Sequence, residues 1–494
     1  MSPTRTMRHP VTARAATLIA TVILALLVAC ATNPVTGRRE FNLMSEAQEI
    51  EIGKAMDPDV RREFGIYDDA SLQKYVESIG LRMAKVSERP DLPWHFTVVD
   101  SPAVNAFALP GGYIYITRGI LAYLNDEAEL AGVLGHEIGH VTARHAAQQY
   151  TRATSAGAGL TLASIFVPEV RPLGQAAEAS LGLLFLKHGR DDELQADQLG
   201  ATYAAHEGWD PEGVPGMLNT LGRISEEQGK DGTPNWLLTH PQPEDRVARI
   251  QETVQKLGAE AAGKSWQTDR QGFLQRVDGV IYGDNPREGV VRGTDFLHPG
   301  LRFRVTFPQN WTVQNSPTRI AAQPKGGNLA IQLDVADKAS GRNLEEALVQ
   351  DMRGAGFKAL AGGATTINGL TAAQGTFQGR IQNVGDVGVM ATYIQHASRV
   401  FRVLGIAPAK TFNDASETFR QSARSFEPLS AAEAERIRPN VLRLYTVRSG
   451  DTWESIAKGA GRGVVSQSTL ALMNASSAND PPRSGEVVKI VNEG

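Results

Sequence analysis

Cysteine is almost absent from this sequence, which has Cys30 alone in 494 residues. One cysteine cannot form a disulfide within the chain, so the fold has to rely on large apolar cores. An excess of basic charge is also missing, because 50 lysine and arginine residues face 54 aspartate and glutamate residues, the formal net charge at pH 7 is −4, and no long run of like charges occurs. That balance argues against a nucleic-acid-binding protein, which normally presents a basic patch. The remaining composition, 41% apolar and 21% charged, is typical of a globular protein with several domains.

Long apolar runs are missing too. From Ala15 to Ala29 the sequence has no charge, but this run is too short to span a bilayer comfortably as a helix. Arginines precede it, and the combination is typical of a secretory signal peptide. The run ends in LVAC, which resembles the bacterial lipobox. We therefore expect a lipoprotein signal peptide over residues 1–30 and a lipid anchor on Cys30. The alternative is a plain signal peptide with an incidental cysteine, or a short anchor.

The residue after the cysteine bears on the destination of such a lipoprotein. It is Ala31 rather than aspartate. By resemblance to Gram-negative lipoproteins, this favours the outer membrane, with the chain facing the periplasm.

Periodicity along the chain predicts an α+β protein of several domains. Residues 31–44 are interpreted as a tether, and residues 45–260 as a mainly helical domain with a small β-sheet. WHFTVVDS, NAFAL and YIYIT are its predicted strands, with Pro110-Gly111-Gly112 as the turn between the last two. Residues 153–184 are rich in alanine, glycine and leucine. They predict a buried helical hairpin, or alternatively a mobile or membrane-touching segment over an active site.

The second half of the chain has a different character. Residues 280–430 alternate like strands around two helical stretches, which predicts a separate α+β domain; FRVTFPQNW resembles the opening strand of the PsbP/Mog1-like group. Residues 441–494 resemble a LysM module, a βααβ unit that binds glycan. The resemblance implies peptidoglycan as a partner, although GRGVVSQST departs from the usual pattern. A small packing module is the alternative.

The histidines of GVLGHEIGHVTARH carry the strongest chemical signal. His136 and His140 are four residues apart, so they share one face of a helix and can bind one divalent ion. Glu137 projects beside that ion, where it could accept a proton from water. A solvated helix face is the plain alternative, but the surrounding residues are small or apolar, and buried histidines without a shared partner would be costly. Gly135 and Gly139 are poor helix formers and suggest that another element packs closely there.

A catalytic zinc ion needs a third protein ligand besides water. The candidates from the residues alone lie on later elements: Glu193, His188, His206, Asp197 and His240. In GRDDELQADQLG, Glu193 and Asp197 are one helical turn apart. One carboxylate can bind the ion while the other supports a ligand histidine from behind.

These motifs together resemble the M48 metallopeptidases, the HtpX/Ste24-like gluzincins. The resemblance rests on HEIGHVTARH, ELQAD and THPQPEDRVARI, and covers about residues 45–255. It implies a zincin-type catalytic domain with one Zn²⁺ per chain, bound by His136, His140 and Glu193. Glu137 would be the base, and Asp197 would support a ligand. His240 and Arg246 would approach the ion or the transition-state oxyanion.

The same resemblance implies a substrate cleft. NAFALPGGYIYITRG is similar to the family's edge strand, along which an extended substrate could add as another strand. The residues it implies for this cleft are Asn105, Ala106, Phe107, Ala108, Gly111 and Gly112. The sequence departs from the integral-membrane members because it has no multi-span segments.

The resulting expectation is a zinc metalloendopeptidase that cleaves unfolded or misassembled cell-envelope proteins. The rival class is an envelope assembly factor or chaperone tied to peptidoglycan, with an idle or autoinhibited metal site. A glycan-cleaving enzyme would need paired carboxylates in a sugar cleft, and no such pattern is visible.

Overall fold

The computed structural model describes residues 30–155, 188–228, 236, 240, 246–260, 265–336, 339, 343–381 and 384–494. The predicted signal peptide falls outside these residues except for Cys30. Most of the ambiguous stretch, 156–184, also lies outside them. Within the described ranges, no helix has both the length and the apolarity needed to cross a bilayer.

The predicted tether is corrected by the structure. Strands β1 (Cys30–Thr32) and β2 (Arg39–Phe41) form an antiparallel hairpin. The Asn33 side chain explains why: its Oδ1 accepts from two backbone N–H groups of the turn, and its Nδ2 donates to the Ala143 carbonyl at 3.2 Å. Met44 is buried in the core that follows. This segment therefore packs on the helical domain.

The predicted helical domain is present as a set of helices around a small sheet. Ser45 is the N-cap of the first helix, as predicted, and forms a capping box with Gln48. In the described part of the chain the helices are α1 (Glu46–Phe64), α2 (Ala70–Lys85), α3 (Arg118–Leu121), α4 (Glu127–Thr142), α5 (His145–Ser155), α6 (Arg190–His206), α7 (Gly213–Gln228), α8 (Arg246–Glu260) and α9 (Arg270–Val277).

The sheet of this domain has the order β3-β5-β4. Its strands are β3 (His95–Val99), β4 (Ala106–Leu109) and β5 (Tyr113–Thr117). β3 runs parallel to β5, whereas β4 is antiparallel to it and forms an edge of the sheet. Strands β3 and β5 were predicted from their β-branched and aromatic content, and β4 from the turn before YIYIT together with the family resemblance. Helix α4 packs against α6, α7, α2 and β4, which places the edge strand beside the histidines.

The middle of the chain forms two antiparallel sheets with accompanying helices. A seven-stranded antiparallel sheet has the order β10-β11-β12-β16-β15-β14-β13. A second sheet has the order β17-β9-β8-β7. The strands are β7 (Val290–Arg292), β8 (Asp295–His298), β9 (Phe303–Thr306), β10 (Trp311–Ser316), β11 (Arg319–Pro324), β12 (Ala330–Val335), β13 (Lys358–Ile367), β14 (Leu370–Ile381), β15 (Gly385–His396), β16 (Arg399–Pro408) and β17 (Glu427–Pro428). The helices of this region are α10 (Leu344–Gly354), α11 (Phe412–Arg424) and α12 (Ala431–Glu435).

The last residues have the predicted βααβ order. They form β18 (Asn440–Thr446), α13 (Trp453–Lys458), α14 (Gln467–Met473) and β19 (Val487–Glu493). A short strand from the linker, β6 (Ile281–Tyr282), pairs with β18. We call residues 440–494 the C-terminal module. Several of its apolar side chains belong to the same core as the helical domain: Leu442, Leu472, Met473 and Val491.

Candidate metal centre

Helix α4 begins at a strong cap and is buried along its length. Asp126 Oδ1 accepts a hydrogen bond from the Glu129 amide at 2.8 Å, and the acidic residues of the first turn complement the helix dipole. From Ala128 to Thr142 every residue is buried. His136 and His140 therefore point to one face inside the protein, as the sequence predicts.

Two glycines bring α6 unusually close to this face. A Cβ added to Gly135 would lie 2.9 Å from the Gly200 Cα, and one added to Gly139 would lie 3.0 Å from the Ala196 Cα. The close packing predicted from these glycines is thus confirmed. Because the backbones nearly touch, the carboxylates of Glu193 and Asp197 reach the histidines.

The three predicted ligands converge. The Nε2 atoms of His136 and His140 are 3.0 Å apart. Glu193 Oε2 lies 3.7 Å from His136 Nε2, and Glu193 Oε1 lies 3.5 Å from His140 Nε2. His240 joins them, since these side chains offer ligand atoms within 4.8 Å of one another.

The chemistry of this pocket fits a divalent cation. Both oxygens of Glu193 are buried and accept no hydrogen bond from the described residues, although Oε2 lies 2.8 Å from Arg246 Nη1. Burial raises the pKa of Glu193 well above its ordinary value and that of Glu137 to about 8. Arg246 contacts two of the buried carboxyl groups, those of Asp197 and Glu193. A divalent ion would favour the charged forms of Glu193 and Glu137, and imidazole nitrogen with carboxylate oxygen is a donor set that zinc accepts.

A tryptophan that the sequence reasoning missed covers the general-base candidate. The Trp236 indole Nε1 donates to Glu137 Oε1 at 3.4 Å. The same ring stacks on His240, with centroids 4.6 Å apart. His240 Nε2 lies 3.7 Å from Glu137 Oε1, so the predicted approach of His240 to the site is what the structure shows. Trp236 lies four residues before His240, and it carried no recognisable signal in a single sequence.

Asp197 takes the supporting position that the sequence predicts. Its Oδ1 lies 2.9 Å from His136 Nδ1. Arg246 holds the same carboxylate with two hydrogen bonds of 2.8 Å from Nε and Nη2. Arg246 was predicted to approach the ion or the transition-state oxyanion. The structure places its fully buried guanidinium against Glu193 and Asp197, because two buried carboxylates there need a cation.

This arrangement predicts a stability effect for Arg246→Met. The change leaves Asp197 and Glu193 buried without their cation, so we expect the metal-free chain to lose about 3–5 kcal/mol of unfolding free energy. Urea unfolding followed by tryptophan fluorescence, with a chelator present, measures it. Arg246→Lys should recover only part of the loss, since lysine cannot make the two-pronged contact. Lys256→Met, at an exposed site on the same helix, is the control. An unchanged curve for Arg246→Met would contradict this role.

Comparison with known proteins gives the family. Residues 70–254 match the family model described as "Peptidase family M48". This part of the chain is an M48 peptidase domain. The beta-barrel assembly-enhancing protease of Escherichia coli is 30% identical over 251 residues, which cover 47% of this chain and 50% of that protein. The mitochondrial metalloendopeptidase OMA1 of Arabidopsis thaliana is 32% identical over 221 residues, 43% of each chain.

The extent of these matches is limited. The chain spans about half the length of the curated relatives it matches. Among solved structures, the solution structure of the cyanobacterial PsbP from Synechocystis is similar with a TM-score of 0.23, at 7% identity, over 28% of this chain and 95% of that one. A score this low supports no conclusion about the middle domain.

A cleft runs from the metal centre of the M48 domain along strand β4. Phe107 and Ala108 line it, as predicted, and so do Leu109 and Pro110. Glu137, His140 and His240 also line it. The edge strand and the candidate base therefore border the same space.

The other predicted cleft residues lie elsewhere. Asn105 and Ala106 are buried at the start of β4, where Asn105 Oδ1 accepts no hydrogen bond from the described residues. Gly111 and Gly112 are corrected: they form the turn after β4 with φ of 80° and 97°. A Cβ on Gly111 would lie 2.6 Å from the Ile50 Cα, so this turn packs on α1 instead of facing the cleft.

Several other histidines and one arginine complete the surroundings. His188 lies beside the ligands, with its ring 3.9 Å from that of His140, and its Nδ1 bonds to the Gln149 amide at 2.8 Å. His206 is exposed at the end of α6, away from the ligand group. Arg144 lines the cleft and pairs with buried Glu49 at 2.5 Å. Sequence spacing alone could not show that Glu49 would be its partner.

Proposed function

We propose that this protein is a zinc-dependent metalloendopeptidase that cleaves unfolded or misassembled proteins of the cell envelope. The observation that carries the proposal is the convergence of His136, His140 and Glu193 beside Glu137, at a cleft bordered by an edge strand. We assign the zinc to those three ligands. When bound there, zinc supplies Lewis acidity, which acidifies water and polarises a carbonyl group.

Glu137 is the general base in this proposal. Its carboxylate is buried beside the ligands, and burial raises its pKa to about 8. A base with a pKa near the working pH can take a proton from the attacking water and return it to the leaving amine. The Trp236 N–H holds Oε1 and favours the charged form that accepts the proton.

The edge of β4 is the proposed substrate platform. Among the described strands, β4 pairs with β5 on one side only, so its other side can hydrogen-bond an extended peptide. Ala108 has a small side chain at the cleft, which leaves room for such a strand. His240 lies next to Glu137, where it would stabilise the developing oxyanion. A backbone-reading platform accepts many sequences, provided that they are unfolded.

The cellular setting is part of the proposal. One similar protein carries the printed name beta-barrel assembly-enhancing protease, which supports a role in the bacterial envelope. Lipidation of Cys30 would anchor the chain in the outer membrane, facing the periplasm. The βααβ order of the C-terminal module supports peptidoglycan as a further partner.

Metal removal tests this function directly. We expect the purified chain to digest casein, a loosely folded substrate, and to lose that activity after dialysis against a chelator, because the ligand histidines then hold no ion. Returning one equivalent of Zn²⁺ should restore it. Peptide release by mass spectrometry is the measurement, with folded bovine serum albumin as the resistant control substrate. Digestion that persists without metal would reject the proposal, and a zinc-loaded chain that leaves casein intact would favour the chaperone alternative.

A further inference from the structure

A chain of hydrogen bonds continues outward from the second ligand histidine. His140 Nδ1 lies 2.9 Å from His145 Nδ1. His145 Nε2 in turn lies 3.0 Å from the side-chain oxygen of Gln195. His145 is buried, and the proposed catalytic steps do not use it or Gln195.

The local backbone explains this contact. Arg144 separates α4 from α5 and adopts φ of 61°, so the chain turns sharply before His145. That turn brings His145 back beside His140, which a continuous helix would not do at this spacing. Gln195 lies on α6 between Glu193 and Asp197. Helix α6 therefore contributes three side chains: the proposed ligand Glu193, Asp197 behind His136, and Gln195 at the end of the hydrogen bonds that begin at His140.

The direction of the hydrogen bonds follows from the end of the chain. An amide oxygen only accepts, so His145 Nε2 carries the hydrogen at the Gln195 end. A neutral imidazole then has a bare Nδ1, which accepts from His140 Nδ1–H. His140 Nε2 is consequently left with a lone pair, and this is the atom that lies 3.5 Å from Glu193 Oε1. That is the form of histidine that can bind a metal ion.

The two ligand histidines are thus supported differently. His136 donates to the Asp197 carboxylate, which can only accept, so its tautomer is fixed in one step. His140 instead donates to the neutral imidazole of His145. The tautomer of His140 therefore depends on the side-chain amide of Gln195, which lies two hydrogen bonds away. If that amide presented its NH₂ group instead, every hydrogen bond would reverse and His140 Nε2 would carry a proton.

We propose that His145 and Gln195 are positioning residues that hold His140 in the tautomer required for metal binding. The proposal rests on the metal site of the proposed function but not on peptide cleavage. It predicts that zinc affinity depends on an acceptor at the position of His145 Nδ1.

Two substitutions at one position test this. His145→Leu removes the acceptor, whereas His145→Asn keeps an oxygen close to where Nδ1 lies, because both atoms are bonded to Cγ. We expect His145→Leu to weaken zinc binding about 10–100-fold, the usual effect of losing such a partner. His145→Asn should bind within about threefold of the unsubstituted chain. Competition with a chromogenic chelator, without substrate, measures the dissociation constants.

A second position guards against misfolding of the His145 variants. Gln195 is only half-buried. Gln195→Glu retains an acceptor and should keep zinc affinity, whereas Gln195→Leu should lower it. His206→Leu, at the exposed end of the same helix, is the control. Unchanged zinc affinity in both His145→Leu and Gln195→Leu would overturn the proposal. Zinc affinity that falls equally in His145→Leu and His145→Asn, in chains with a normal melting temperature, would overturn it as well. Loss of casein cleavage with these affinities unchanged would reject the peptidase function alone.

Discussion

Glu137→Gln should abolish most peptide hydrolysis while the chain keeps its zinc. Glutamine has the size of glutamate and can still accept the hydrogen bond from the Trp236 indole through its oxygen. It cannot take a proton from water, so the general-base contribution, about 10²–10⁴ in rate, is lost. The ligands His136, His140 and Glu193 are untouched. Casein turnover and zinc content by atomic emission, measured on the same preparation, separate the two effects.

The matched control for this variant is Glu77→Gln. Glu77 is exposed on α2, so the same chemical change there should alter neither turnover nor zinc content. Undiminished hydrolysis in Glu137→Gln would remove Glu137 as the base. Loss of zinc from that variant would instead indicate that Glu137 takes part in binding the ion.

The pairing of His136 with His140 was predictable because helical periodicity determines it, whereas Glu193 was chosen as the third ligand through the resemblance. His136 and His140 share a face in any α-helix, and Glu193 and Asp197 do so on theirs. Gly135 and Gly139 added the information that the two helices touch, and Gly200 on α6 faces them in the structure. Local sequence rules therefore predict which side chains share a helix face. That α4 and α6 bring those faces together was predicted from the resemblance.

The supporting residues could not be predicted in the same way. Trp236 meets Glu137 only through the fold, since 99 positions separate them. His145 meets His140 through the backbone turn at Arg144, and positive φ at an arginine has no sequence signature. The resemblance implied that Arg246 approaches the ion or the oxyanion. It did not show that the Arg246 guanidinium pairs with two buried carboxylates, those of Glu193 and Asp197.

The second half of the chain contains features that its sequence did not reveal. Strand β13 was not predicted, since KALAGGATTI lacks clear alternation and lies at an exposed sheet edge. The C-terminal module was predicted with the right order of elements but as an independent unit. Its sequence shows amphipathic strands and helices, and these do not reveal which other domain covers their apolar faces.

Removing the C-terminal module should therefore unfold the peptidase domain rather than release it. In the structure, Leu442, Leu472, Met473 and Val491 pack in the same core as the helical domain. Burial of such side chains stabilises by about 1.5–3 kcal/mol each, which together approaches the net stability of a whole domain. The Lys489 ammonium also donates to the Leu124 carbonyl, just before α4. We expect a chain ending before residue 440 to be insoluble or unfolded and unable to digest casein.

A pair of valines on β19 tests the same interface without deletion. Val491 is fully buried in the shared core, whereas the side chain of Val487 is 38% exposed. Val491→Ala should destabilise the peptidase domain by about 2 kcal/mol through lost burial and a cavity, and Val487→Ala should have little effect. Hydrogen exchange of α4 amides reports the change where the ligands lie. Two results together would contradict this interface: a shortened chain that digests casein with an unchanged melting temperature, and equal protection of the α4 amides from exchange in both valine variants. The module would then be an independent unit, and the shared core would contribute nothing to the metal centre.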